Sequence, residues 1–180
     1  MKLLNRPAKL RDSKSKVTAL DWSFLERAIL LFEKQIKNNR IKADYLLVMV
    51  RGGMIPAAML SHYLKIREME FYQVLRTVSD KPHDYGTPTP RHLPKIISGK
   101  RYLIVEDIIF KGETLNEGLK FIKAKGGRVA AVVSLLADEE FFKSKNFQVY
   151  QDKLICAYEC RHKNWIRFPW EKKIKGEKKI

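Results

Sequence analysis

Apolar residues in DWSFLERAILLFEKQIKNN, Asp21 to Asn39, recur at helical spacing, with Trp22, Leu25, Ile29, Phe32 and Ile36 on one face. The spacing predicts an amphipathic helix, opened by a Ser23–Glu26 capping box or by Asp21 as the cap. The pattern then changes. YLLVMV, Tyr45 to Val50, is a short unbroken apolar run between a charged segment and Arg-Gly-Gly, as in a strand buried on both faces. MIPAAMLSHYLKI follows as a helix that tolerates Pro56 in its first turn, and MEFYQVL as a second strand. RYLIV, Arg101 to Val105, is a third buried strand. Thr114 to Lys125 is a helix ended by Gly126-Gly127, and RVAAVVSLL is a fourth strand. Strands alternating with helices predict an α/β fold, a mainly parallel twisted sheet flanked by helices.

Arg76 to Lys100 breaks this rhythm. It holds four of the seven prolines and no apolar periodicity, so a long functional loop is expected. Beyond Asp138 the apolar runs shorten. The expected organisation is a single domain over residues 1–180, with a core at about 20–138 and a smaller region at about 139–180 joined by the N-terminal segment.

A chain of 180 residues that is 45% hydrophobic can bury a sizeable core. No apolar run reaches membrane-span length, and MKLLNRPAKLRDSKSK has no stretch of signal-peptide length, so a cytoplasmic protein without a membrane partner is expected. Two cysteines exclude a disulfide framework, and Cys156-x-x-x-Cys160-x-His162 lacks a fourth ligand for zinc. The formal charge of +16 attracts polyanions: nucleic acid, acidic membranes or phosphorylated metabolites. Many of the lysines crowd the two ends, as solvated tails do, and lysine-rich surfaces also occur in proteins from hot environments. Nucleic acid is thus a partner that the charge permits but does not favour.

Two loops carry candidate chemistry. In an open parallel sheet, ligands bind beyond the carboxyl ends of the strands. Val50-Arg51-Gly52-Gly53 leaves the first strand and Glu106 to Thr114 leaves the third. In the second loop, Gly112 permits close backbone approach to an anion, Thr114 offers a hydroxyl and Lys111 a charge. Glu106 and Asp107 would repel phosphate, but they accept hydrogen bonds from sugar hydroxyls or help hold hydrated Mg²⁺. Arg51-Gly52-Gly53 supplies a second anion site through glycine backbone and a guanidinium fork. Two anion sites flanking acceptors for a diol point to a phosphosugar carrying a diphosphate.

These stretches also resemble a known family. VEDIIFKGETL is similar to the signature of type I phosphoribosyltransferases: two acids, two apolar residues, then Asp-Thr-Gly-x-Thr. VMVRGGMIPAAML resembles the diphosphate loop and following helix of the 6-oxopurine branch, which acts on guanine, xanthine or hypoxanthine. WIRFPWE, Trp165 to Glu171, resembles that branch's hood. The resemblance implies the type I phosphoribosyltransferase fold with a small C-terminal hood. It implies an enzyme that joins phosphoribosyl diphosphate (PRPP) to a purine base, forming a nucleoside 5′-monophosphate and diphosphate in purine salvage. Mg²⁺ would be the cofactor, and a homodimer or homotetramer the assembly. Glu106 and Asp107 would be the catalytic acids on the ribose hydroxyls. Phe110, Lys111, Gly112, Glu113 and Thr114 would surround the 5′-phosphate, and Arg51 and Gly52 the diphosphate, with a cis peptide at Val50–Arg51. Trp165 would stack on the base, Ile166 would read its edge through the backbone, and Glu171 would reach Mg²⁺. Arg76–Lys100 would be a lid that excludes water.

The chain departs from the family pattern twice. Phe110 stands where the family usually has an acid near N7 of the purine, followed by Lys111 in place of threonine or serine. Asp138 stands near the position of a lysine that binds the 6-oxo group. A carboxylate there suits the amine of adenine, or Asp138 is a helix cap and contacts no base. Three readings follow: a 6-oxopurine enzyme, an adenine phosphoribosyltransferase, and a non-catalytic PRPP sensor that binds nucleic acid.

Overall fold

In the computed structural model, residues 4–10, 17–77, 85–161, 165–172 and 178–179 are described. The strands are β1 (Ala8–Lys9), β2 (Val17–Ala19), β3 (Tyr45–Val50), β4 (Met69–Thr77), β5 (Tyr85–His92), β6 (Arg101–Ile109), β7 (Arg128–Asp138), β8 (Leu154–Cys160), β9 (Trp165–Arg167) and β10 (Lys178–Lys179). The helices are α1 (Trp22–Asn38), α2 (Met54–Leu64), α3 (Glu113–Ala124), α4 (Glu139–Lys143) and α5 (Lys145–Tyr150). Seven strands form one sheet in the order β1-β8-β7-β6-β3-β4-β5, parallel throughout except at β4–β5. A second parallel sheet, β10-β2-β9, stands apart from it.

The unbroken apolar strands are explained by helices on both faces. Leu46, Val48, Leu103 and Val105 pack with Leu25, Ile29 and Phe32 of α1 and Ala57 and Leu60 of α2. Their strand neighbours Leu47, Met49 and Ile104 point the other way, to Leu115, Leu119 and Ile122 of α3 and to Phe141 and Tyr150. Trp22 departs from the predicted buried face. It lies in the first turn of α1, 56% exposed, its ring 6.5 Å from that of Trp170. Asp21 caps α1 by accepting from the Phe24 N–H at 2.8 Å, while the Ser23 hydroxyl donates to the same carboxylate at 2.8 Å. Ser23 therefore supports the cap and does not open a capping box.

Two other expectations are corrected. The segment Arg76–Lys100 is not one structureless loop, because β5 pairs antiparallel with β4 into a hairpin. Pro88 and Pro90 fit because β5 is an edge strand with register shifts, where a missing N–H costs no central ladder bond. Residues 78–84 of the expected lid lie outside the described residues. The core does not end at Asp138. β8 pairs with β7 through Asp138↔Cys160, so the main sheet runs on to Cys160, and the smaller sheet is built from β2, β9 and β10. Cys156 and Cys160 are buried in β8, the second with its thiol pushed up to about 12 by burial. Among the described residues no helix is long and apolar enough to cross a membrane.

The Asp21 cap gives a measurable outcome. Asp21→Ala is expected to cost about 1 kcal/mol of stability at neutral pH. The Phe24 N–H and the Ser23 hydroxyl hold the Asp21 carboxyl below its ordinary value. Its contribution is thus present above the unfolded value of about 3.9 and lost as pH falls through the folded one. Urea melts at pH 7 and pH 3 should show the difference between the two proteins shrinking.

Candidate functional site

β3 and β6 lie side by side at the centre of the sheet, and the chain leaves them in opposite directions, β3 toward β4 and β6 toward β7. This is the topological switch point, where loops diverge and leave a crevice. The β3–α2 loop and the β6–α3 loop flank it.

The first loop opens with a cis peptide at Val50–Arg51, as the resemblance implied. Arg51 is exposed, and Gly52 and Gly53 follow. Both glycines are in close approach to β6. A Cβ on Gly52 would stand 1.8 Å from Oδ2 of Asp107, and one on Gly53 would stand 2.5 Å from the Val105 carbonyl and 2.6 Å from that of Met49. Backbone thus leaves no room for a side chain at Gly53, while at Gly52 the room is taken by the Asp107 carboxylate.

Glu106 and Asp107 are half-buried and lie within β6, which continues four residues past the predicted end at Val105. Oδ1 of Asp107 accepts from the Ile108 N–H at 2.8 Å, and Oε1 of Glu106 from the Asp107 N–H at 3.3 Å. Burial pushes the Glu106 carboxyl well up, and the neighbouring Asp107 charge and a hydrogen bond between the two carboxyls push it further. Burial also raises Asp107. Both carboxyls are therefore biased toward the neutral form at the end of β6.

The second loop is Phe110 to Gly112. Gly112 has φ +77° and is the N-cap residue of α3, which has no side-chain cap, so its first-turn N–H groups face the loop unscreened. A Cβ there would also meet the Phe141 ring at 2.6 Å. Lys111 is exposed, its Nζ 5.8 Å from the Phe110 ring centre. Glu113 and Thr114 open α3, one residue earlier than the periodicity predicts. The loop is held from behind by α5. Asn146 Nδ2 donates to the Lys111 carbonyl at 2.7 Å, Asn116 Nδ2 donates to Asn146 Oδ1 at 2.7 Å, and the Tyr150 hydroxyl donates to Asn116 Oδ1. Sequence reasoning missed all three residues. No motif marks KSKNFQVY, and only the fold brings it under the loop.

The smaller sheet supplies the third wall. β9 pairs in register with β2 (Trp165↔Val17, Ile166↔Thr18, Arg167↔Ala19) and is the outer strand of its sheet. Trp165 and Ile166 are half-buried. After β9 the chain turns back, and Oε2 of Glu171 accepts from the Phe168 N–H at 2.9 Å. Buried Arg167, also unpredicted, ties this turn by donating Nη1 to the carbonyls of Phe168 (3.1 Å) and Glu171 (3.4 Å). Trp170 stacks on Phe168 at 4.7 Å. Burial raises the Glu171 carboxyl. The Asp107 charge raises it further, while Arg167 and Arg51 act in the opposite direction. Glu171, Asp107 and Arg51 thus share one electrostatic neighbourhood although they come from three separate stretches of the chain.

Asp138 is the exception among the predicted residues. It ends β7, is buried, and caps α4 by accepting from the Glu140 N–H at 2.8 Å. The helix-cap alternative is the one seen. Among the described residues no cluster of three or more His, Cys, Asp or Glu could hold a metal by itself. Mg²⁺ that keeps its waters and shares substrate phosphates needs only one or two carboxylates, and Glu171, raised by burial and by Asp107, fits that role.

A central switch point flanked by two glycine-bearing loops, with an acid pair between them, is the ligand crevice of an open α/β sheet. The family described as "Phosphoribosyl transferase domain" matches residues 20–175, and the chain belongs to it. The chain is 33% identical over 76 residues to the orotate phosphoribosyltransferase of Sulfurisphaera tokodaii, a stretch covering 42% of this chain and 38% of that relative. Its fold is similar to that of the purine phosphoribosyltransferase from Pyrococcus horikoshii Ot3 (TM-score 0.67, 23% identity, 91% of this chain and 99% of that one). It is also similar to the Helicobacter pylori xanthine-guanine-hypoxanthine phosphoribosyltransferase (TM-score 0.66, 20% identity, 86% and 93%).

The two glycines should behave differently. Gly53→Ala must force the backbones of two strands apart and is expected to cost about 1–3 kcal/mol. Gly52→Ala meets only the end of the Asp107 side chain, which can rotate away, so stability should stay within about 1 kcal/mol. Urea denaturation of the two variants separates them.

The acid pair makes stability depend on pH. Its folded pKa values lie above the unfolded ones, so the pair carries no penalty below the unfolded values (about 4) and the full penalty above the folded ones. Stability is therefore lost as pH rises through that window. Glu106→Gln should melt a few degrees above the parent at pH 7.5, with the gap closing at pH 4, as calorimetry can check.

Proposed function

We propose that the chain is a purine phosphoribosyltransferase that makes a nucleoside 5′-monophosphate and diphosphate from PRPP and a 6-oxopurine, in purine salvage. One observation carries the reading: the acid pair of β6 is packed on the Gly52 loop, with Glu171, from the turn that follows β9, in the same field. This is the arrangement needed to hold ribose hydroxyls, diphosphate and base around one carbon atom.

Glu106 and Asp107 accept from the ribose hydroxyls and fix the ring. Backbone N–H groups of Lys111, Gly112, Glu113 and Thr114 receive the 5′-phosphate at the positive end of α3, with Phe110 beside them. Arg51 and the Gly52 backbone hold the diphosphate. Glu171 would help hold Mg²⁺, which when bound would supply positive charge against the leaving group. The buried carboxylates face the positive charge that develops on the ribose, so their stabilisation grows as the bond to diphosphate breaks. With Phe110 in place of an acid, this loop offers the base no proton acceptor, and catalysis rests on positioning and electrostatics.

Trp165 stacks on the purine, and Ile166 reads its edge from the outer strand β9. The buried Asp138 carboxylate spends Oδ1 on α4, which weakens the case that it selects adenine's amine. The similarity of VRGGMIP and WIRFPWE to the 6-oxopurine branch then favours hypoxanthine, guanine and xanthine over adenine.

Labelled PRPP with a panel of four purines tests the reading. Product is expected with a 6-oxopurine. Adenine preference would transfer the chain to the adenine branch, and no product with any base would leave a PRPP-binding protein. Trp165→Ala should raise KM for the base about tenfold and leave KM for PRPP within about twofold, since base–aromatic stacking is worth about 1–3 kcal/mol.

A further inference from the structure

The opposite edge of the sheet has its own chemistry. A cleft of about 740 Å³ opens at the N-terminal ends of β3 and β6, beneath the C-terminal ends of α1 and α2. Its wall is apolar, with Ile41, Tyr63, Ile66 and Leu103, and its rim carries Lys37, Arg40, Lys42, Lys65 and Arg101. Among the described residues the ion pairs engage two of these five: Arg101 with Asp44 (2.7 Å) and Lys37 with Glu33 (2.6 Å). Arg40, Lys42 and Lys65 are exposed and outside those pairs. Arg40 (φ 52°) and Lys65 (φ 57°) are also the two non-glycine residues with a left-handed backbone among those described. Helices usually end such turns on glycine or asparagine, and both helices here place a cation at the rim.

The charge continues past the cleft. The Arg128 N–H donates to the Lys100 carbonyl at 2.8 Å, which sets the two residues side by side. The leading ends of β4, β3, β6 and β7, which are adjacent in the sheet, thus carry Arg67, Lys42, Lys100 and Arg128. At a strand spacing of about 4.8 Å this belt is about 14 Å long. Asp44 and Glu68 interrupt it, but cations outnumber them. The negative ends of the α1 and α2 dipoles point here, so anion affinity must come from the side chains. The belt lies six residues of β6 from Asp107, about 20 Å, and touches nothing in the transferase site.

We propose that this edge binds a single-stranded polynucleotide, with phosphates along the cleft rim (Arg40, Lys42 and Lys65) and the cation belt that continues it, and a base in the cleft against Tyr63. A mononucleotide would use the cleft and leave the belt empty. A flat membrane surface would use the belt and leave the cleft empty. A duplex could not release a base into it. Cations in line with an aromatic-walled pocket match a single strand.

The test uses the full chain and a labelled 12-nucleotide oligouridylate, followed by anisotropy across a salt series. The parent should bind it at least tenfold more tightly than a duplex of equal length. In the variant Arg40→Gln/Lys42→Gln/Lys65→Gln the slope of log affinity against log salt should fall by about 2, at about 0.7 per lost phosphate contact. Tyr63→Leu should weaken binding at least fivefold without changing that slope, the lower end expected for a lost stack. Both variants should keep the parent's melting temperature, and excess PRPP should not displace the strand. The proposal is overturned if the triple variant binds with unchanged affinity and slope, which would put binding on the terminal lysines. Equal binding of the duplex, full competition by uridine monophosphate, displacement by PRPP, or loss of binding only to anionic vesicles would overturn it as well.

Discussion

The carboxylate of Asp107 rests where the first carbon of a side chain at position 52 would be, and the rest of the site is arranged around that contact. It fixes how far the β3–α2 loop stands from the end of β6. It also explains why the acids stay half-buried instead of turning to water, and hence why both titrate above their ordinary values. The same strand contact requires Gly53, because the Val105 and Met49 carbonyls close from either side. A buried acid pair is costly to fold around. The seven-stranded sheet, covered on both faces by α1, α2 and α3, is the framework that bears the cost.

The features of this arrangement that sequence revealed are those written in adjacent residues. The apolar runs of β3, β6 and β7 and the periodicity of α1 follow from local burial, and the order strand, acid pair, glycine, helix places the loop chemistry without coordinates. Contacts between distant residues were hidden. Asn146 looks like any polar residue of a short helix until the fold sets its amide under the Lys111 carbonyl. Arg167 reads as a surface charge and is a buried clasp. β8 was missed because its run is short and broken by Tyr158 and Glu159, although pairing with β7 settles its state. Asp138 was legible only as two alternatives, a cap or a base contact, and the start of α4 directly after it shows the cap, made by one of its two carboxylate oxygens.

The two edges of the sheet offer an anion different means of attachment. At the carboxyl edge, backbone N–H groups and the positive end of α3 are available, so few side-chain cations would be needed and acids can sit among them. At the amino edge the helix ends have the opposite sign, and only side chains can hold an anion. Backbone donors are fixed in place and suit one small ligand held in one pose. Lysines and arginines on long stems suit a ligand that has many equivalent phosphates.

The smaller sheet also has a consequence for synthesis. β2 lies at residues 17–19, yet its partner β9 lies at 165–167, and Asn5 bonds to the backbone of Cys156 across 151 positions. A nascent chain can assemble β3, β4, β6 and β7 as they emerge, since neighbours in the sheet follow one another closely. β1 and β2 must wait, unpaired with β8 and β9, until residues 154–167 leave the ribosome. Contacts of such long range close late and slowly. The wall that carries Trp165 and Glu171 is therefore the last to form, so a truncated chain would have the two anion loops without the wall that faces them.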